Sequence, residues 1–208
     1  MPAAPDAALF AQSLLIGLSI AAPVGPIGLL VIQRTLQRGT AVGLATGLGA
    51  AAADALYGAV GAFGVASVID ALVGARVPLA LGGGAFLLVL AWRIWHAPPA
   101  RQAAPAGGGA GLLSCFAGTF ALTLSNPATI FSFVAVFGTL GARMAGGSPW
   151  TMIAGVLAGS ALWWLLLSAL VGRLRTRFDL RVQAGVNRAS ALMLAGFALW
   201  QWAGLFGH

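Results

Sequence analysis

This chain is short of almost everything that a water-soluble protein needs on its surface. Charged residues make up only 7% of its 208 positions, where a soluble domain carries about a quarter. Lysine is absent: all eleven basic side chains are arginine, set against four acids. Cysteine occurs once, at Cys115, so no intrachain disulfide can form, and a lone thiol in a helix is ordinary packing. The two histidines, His96 and His208, stand far apart at expected helix ends and offer no metal-ligand spacing. No acid pair and no histidine-containing triad falls within the apolar runs, and Asp70 and Asp179 lie at connections. An enzyme is therefore not expected, nor is a metal or other cofactor.

What the chain does have is long apolar sequence, with 60% hydrophobic residues. A spanning helix needs about 20 mostly apolar residues. Six such stretches can be marked, at about 9–33, 41–69, 77–95, 112–137, 150–171 and 188–206. They take up most of the chain and predict one all-α integral membrane domain. A barrel would need alternating segments of about ten residues instead. Met1 to Ala8 carries Asp6 and no basic residue, and the apolar run that follows is too long for a signal h-region. The first helix is expected to be retained.

The net charge of +7 does not point to nucleic acid, because the arginines are distributed as topology signals. Arg34, Arg38, Arg93, Arg101, Arg173, Arg175, Arg177, Arg181 and Arg188 fall in odd-numbered connections; Arg76 and Arg143 fall in even-numbered ones. The positive-inside rule then puts both termini outside. Part of the last cluster could also meet anionic lipid headgroups. Trp92, Trp95, Trp150, Trp200 and Trp202 fall at span ends, as belt residues do. Trp163 and Trp164 lie deep in the fifth span and read as packing, with lining a cavity as the lesser alternative. The segment Ala97 to Gly111, rich in Pro, Ala and Gly, reads as a linker between halves at about 9–95 and 112–206. Arg173 to Arg188 has the length for a short amphipathic surface segment.

Two of the expected helices are interrupted. Helix one carries Pro23-Val24-Gly25-Pro26 near its midpoint, and helix four carries Ser125-Asn126-Pro127. Proline removes a backbone donor and clashes with the preceding turn, so the carbonyls of Ser19, Ala22 and Thr123 are expected to lose their partners. Asn126 suits an N-cap and Pro127 a first helical position. Either break alone is an ordinary kink. Together they occupy corresponding places in two three-helix halves, the second inserted upside down relative to the first. An inverted 3+3 repeat with broken helices one and four is the pattern of a transporter site at the midplane.

Asp54 sits at the middle of about thirty residues without formal charge, Ala41 to Ile69. An ionised carboxylate at that depth costs roughly 3 kcal/mol or more, and intramembrane acids mark ion, proton or substrate paths. Gly47, Ala50, Asp54, Gly58 and Gly61 form a small-residue stripe, and Tyr57 is placed to hydrogen-bond near the acid. Thr119, Thr123 and Asn126 form a polar stripe on helix four. Gly43, Gly155 and Gly159 read as plain helix packing. Half-helix N-termini favour an anion, and Asp54 with the freed carbonyls favours a cation. A zwitterion such as an amino acid meets both.

The string Ala22-Pro23-Val24-Gly25-Pro26-Ile27-Gly28-Leu29-Leu30, then Arg34-Thr35-Leu36 and Gly39, resembles the amino-terminal signature of the LysE-type amino-acid exporters. Gly47-Leu48-Gly49, Ala53-Asp54-Ala55-Leu56-Tyr57-Gly58 and Leu122-Thr123-Leu124-Ser125-Asn126-Pro127 continue the likeness. Many relatives have Pro-Gly-Pro where this chain has Pro23-Val24-Gly25-Pro26. The resemblance implies export of amino acids or similar metabolites across a bacterial inner membrane, driven by protons. It implies functional roles for Pro23, Gly25, Pro26, Asp54, Asn126 and Pro127. A metal-cation exporter and a passive channel are the alternatives. The stripes of small residues permit a homodimer.

Overall fold

The structure is a computed structural model that describes residues 3–23, 25–63, 74–96, 108–126, 129–133, 136, 148–174 and 180–206. The described residues form helices and no strand. In chain order they are α1 (Ala3–Ala21), α2 (Pro26–Arg38), α3 (Thr40–Ala62), α4 (Arg76–Trp95), α5 (Gly108–Leu124), α6 (Pro149–Leu174) and α7 (Leu180–Phe206). A helical turn at 129–133 follows the interruption after α5.

The expected helix one is two helices. Ala7–Ala21 and Pro26–Arg38 meet at a bend of 78°. The last amide of the first piece, on Ala22, reaches the Leu18 carbonyl at 2.9 Å, and the second piece opens with the Leu29 amide on the Gly25 carbonyl at 3.1 Å. Gly25 is extended there, and Pro26 takes the first helical position, where its missing N–H and fixed φ cost nothing. At the other end of α2, Gly39 has φ 96. This left-handed conformation is open to glycine, and it lets one residue end α2 and begin α3.

Val77–Trp95 of α4 and Pro149–Leu174 of α6 are each long and apolar enough to cross a membrane, with mean hydropathies of 1.8 and 1.9. The bent α1–α2 pair makes a third such element if counted as one span. α3 has the length, at 23 residues, but is built largely of alanine and glycine around Asp54. The sixth expected span begins earlier than its apolar run: α7 is one continuous helix from Leu180, so the stretch 180–188 is not a separate surface segment. Most of the expected linker, residues 97–107, lies outside the described residues.

Glycines set how closely the helices cross. A side chain at Gly17 would meet the Val156 carbonyl, at Gly159 the Leu14 carbonyl, and at Gly155 Ser13 and the Phe10 carbonyl, so α1 lies backbone to backbone on α6. Gly49 meets the Phe116 carbonyl in the same way between α3 and α5. Gly43, Gly155 and Gly159 thus serve packing, as expected. α3 also packs on α6, α4 on α7, and α2 lies against α3, α6 and α7. The buried hydroxyls of Ser13, Ser168 and Ser190 take no hydrogen bond among the described residues; Ser13 packs where a small side chain is needed.

The outward faces are apolar. Leu15, Leu113, Leu192, Trp92, Trp150 and Trp200 are all more than 60% exposed, a surface suited to lipid rather than water. Trp202 departs from the belt placement. It turns inward, and its indole nitrogen donates to the Ala80 carbonyl at 3.1 Å, joined there by Gln201 at 2.9 Å.

Gly159→Val forces a branched side chain into the Leu14 backbone. We expect a loss of about 2 kcal/mol or more, the scale of overpacking, read as a lowered unfolding midpoint in detergent. Gly196→Val, at an open position, leaves the midpoint within error.

Candidate functional site

The break in helix one and the break after α5 come together around a cavity of about 190 Å³. That is room for several waters or one small solute. Pro23, Gly25, Pro26, Asp54, Thr123 and Asn126 line it, so six of the sequence-derived site residues meet in one place. Pro127 lies outside the described residues. Asp54 is the only formally charged side chain among the described lining residues.

Asp54 is 3% exposed. Its Oδ2 accepts a hydrogen bond from Ser160 Oγ at 2.7 Å, and Ser160 Oγ accepts one from Trp164 Nε1 at 3.1 Å. Both partners come from α6. Trp164 also lines the cavity, the lesser of the two readings given for it, and Ser160 was not singled out at all. Residues 160 and 164 share a helix face, but that spacing alone does not show which face meets α3. Thr129 and Ser132 add polar wall on the far side of the second break, and Phe197 of α7 adds an apolar one.

Tyr57 does not line the cavity. Its hydroxyl donates to the Leu124 carbonyl at 2.8 Å, and its ring stacks on Phe133 at 5.4 Å. It meets the end of α5 where that helix breaks, from a position three residues along α3 from Asp54.

Ser19 is exposed and takes no part in the lining, and Ala22 is likewise absent from it. The Thr123 carbonyl is not free, because it accepts the Asn126 amide at 3.2 Å as the chain tightens into a turn. The Thr123 hydroxyl bonds back to the Thr119 carbonyl at 2.9 Å. Of the three carbonyls expected to be free, that of Thr123 is thus engaged, and the formal negative charge at the site is that of Asp54. Asn126 behaves as an N-cap backbone should: its carbonyl accepts the amides of Thr129 and Ile130 at 3.0 and 3.2 Å. On the opposing wall, α2 starts with no side-chain cap. Pro26, Ile27 and Gly28 line the cavity, so the N-terminal end of α2 and the positive end of its dipole lie at it, with Ile27 and Gly28 carrying the first N–H groups because Pro26 has none.

A second polar cluster lies below the site. Arg34 Nη1 donates to Thr46 Oγ1 at 3.1 Å, Thr119 Oγ1 at 3.3 Å and the Cys115 carbonyl at 3.4 Å. Arg38 reaches Cys115 Sγ at 3.5 Å. Arg34 was read as a topology charge and as part of the family-like string, with no partner named. In the fold it pins α2 to α3 and α5.

A helical protein with a buried carboxylate and two helix breaks at one cavity fits several kinds of membrane protein. The comparisons with known proteins specify which kind. This chain belongs to the LysE type translocator family, whose profile matches residues 18–200. It is 30% identical over 178 residues to "Uncharacterized membrane protein YahN" of Escherichia coli, covering 81% of this chain and 78% of that one. It is 30% identical over 207 residues to "Chemotactic transduction protein ChpE" of Pseudomonas aeruginosa, covering 92% and 98%. It is 24% identical over 199 residues to "Putative amino acid efflux protein YcgF" of Bacillus subtilis, covering 92% and 94%. No solved structure matches.

Two outcomes test the supports of the site. Arg34→Met removes three hydrogen bonds from a charged donor and should cost about 2 kcal/mol or more in detergent unfolding. Arg34→Lys, lacking the planar fork, should recover less than half of that. Tyr57→Phe leaves the Leu124 carbonyl without its hydroxyl partner and should cost about 1 kcal/mol on the same assay.

Proposed function

We propose that this protein exports neutral amino acids, or zwitterionic metabolites of similar size, across a bacterial inner membrane in exchange for protons. The observation that carries the proposal is that the carboxylate of Asp54 and the start of α2, which has no side-chain cap, line one small cavity. A substrate carboxylate suits the α2 amides, and a substrate ammonium suits Asp54. Once Asp54 meets the ammonium, no second acid among the described lining residues remains for a cationic side chain. Apolar wall from Ile20, Ile27 and Phe197 favours an uncharged one. The name of the Bacillus relative, which speaks of amino acid efflux, supports the direction.

The mechanism is alternating access by two inverted halves, about 9–95 and 112–206, in a six-span bundle with both termini outside. The helix packing supports it. Exchanging helices one, two and three for four, five and six turns the α1–α6 contact into the α3–α5 contact. The same exchange returns α3–α6 and α4–α7 to themselves. Asp54 holds either a proton or the cargo ammonium, so the site never reorients with a bare charge. One charge moved across 100 mV is worth about 2.3 kcal/mol, enough for a modest cargo gradient per proton.

Purified protein in liposomes preloaded with a mixed amino-acid panel, under an inward proton gradient, tests this by mass spectrometry of what is released. Native protein should release a neutral subset, and Asp54→Asn should lose net release at least tenfold. Release of lysine or arginine in preference would overturn the neutral cargo. Native rates in Asp54→Asn would remove Asp54 from the mechanism, and no release by folded native protein would end the amino-acid reading.

A further inference from the structure

We propose that Ser160 and Trp164 are positioning residues for Asp54: they hold Oδ2 as a standing acceptor and leave Oδ1 as the one oxygen where a proton or a cargo ammonium is exchanged. The identity of the cargo rests on the transport reading above; the relay itself rests on geometry.

The direction of the relay follows from what each group can do. An indole N–H only donates, so the 3.1 Å contact makes Ser160 Oγ an acceptor from Trp164. The hydroxyl's own hydrogen is then available to Asp54 Oδ2 at 2.7 Å. A hydroxyl that accepts on one side donates more strongly on the other. Ser160 is fully buried and Trp164 is 3% exposed, so water does not compete for either bond. The indole is also fixed in place. A side chain at Gly47 would run into Trp164 Cβ and Cγ, so α3 lies directly on the ring and Gly47 sets its position.

Asp54 accepts no other hydrogen bond among the described residues. A proton on Oδ2 would face a hydroxyl already committed to it as donor, whereas Oδ1 meets no such competition and belongs to the carboxyl that lines the cavity. No other charged side chain among the described lining residues faces it. Tyr57, one turn along α3, has its hydroxyl on the Leu124 carbonyl. In the exchange, the O–H bond at Oδ1 breaks, the proton passes to cavity water, and an ammonium N–H donates to the freed lone pair.

Infrared difference spectroscopy on the whole protein in lipid vesicles, titrated with acid, reads this arrangement. The carboxylic C=O band, identified by its loss in Asp54→Asn, reports whether Oδ2 accepts a hydrogen bond. In Ser160→Ala the band should move to higher frequency, and Ser160→Thr should restore it. Trp164→Phe, which keeps a ring on Gly47, should give a smaller rise. The double variant should shift no further than Ser160→Ala, because Trp164 acts through Ser160. A native band in Ser160→Ala overturns the proposal. Additive shifts in the double variant overturn the relay. Should Ser160→Ala fail to assemble, an unmoved band in Trp164→Phe overturns it instead. Failed transport with these band shifts present counts against the transport reading and leaves the positioning role standing.

Discussion

Hydrocarbon offers no hydrogen-bond partner, so every backbone group released where a membrane helix breaks must be met from within the bundle. The rest of this structure depends on how that is done. Pro26 occupies a position whose N–H would be unpaired anyway. The end of α5 is met by Tyr57 from α3 and by the turn that carries the Asn126 amide onto Thr123. These solutions require α3, α5 and α6 to approach closely, which the glycines at the crossings permit. The start of α2 is left without a side-chain cap, and its first residues line the cavity.

Two polar centres, the buried Asp54 and the half-buried Arg34, are stabilised by the same kind of group used with opposite polarity. Thr46 and Thr119 give their hydrogens to their own helix, to Val42 and Cys115, at 2.8 and 2.9 Å. Their lone pairs are then free for the guanidinium of Arg34. Ser160 has its oxygen engaged by an indole, which directs its hydrogen to a carboxylate. A hydroxyl is neutral and adaptable, and what holds its other side decides whether it serves an anion or a cation. Neither centre relies on an ion pair among the described residues. The carboxylate is therefore not neutralised by a resident cation among the described residues.

The membrane class, the two breaks and the acid were legible from the chain because each is a local property. Apolar run length, proline placement and a lone charge in an apolar stretch are read without knowing what packs where. The same local logic left the Thr123 carbonyl free, where the structure gives it the Asn126 amide. A missing proline donor says only that one helical bond is absent. Whether the acceptor is then free depends on the next few residues and on the facing helix. Tyr57 and Arg34 were seen, but their partners Leu124, Thr46 and Thr119 are distant in sequence and gave no sign of the pairing. Ser160 gave no signal, being one of several serines in an apolar helix.

By itself the sequence determined an all-helical membrane protein, interrupted twice, with one carboxylate at depth, because composition and backbone chemistry act residue by residue. Only the tertiary structure decided that the interruptions share a cavity, that Trp164 and Ser160 reach Asp54, and that Arg34 fastens α2 to its neighbours. Those outcomes depend on which faces of α3, α5 and α6 meet. With apolar residues on nearly every face, helical periodicity does not distinguish the side that meets protein from the side that meets lipid.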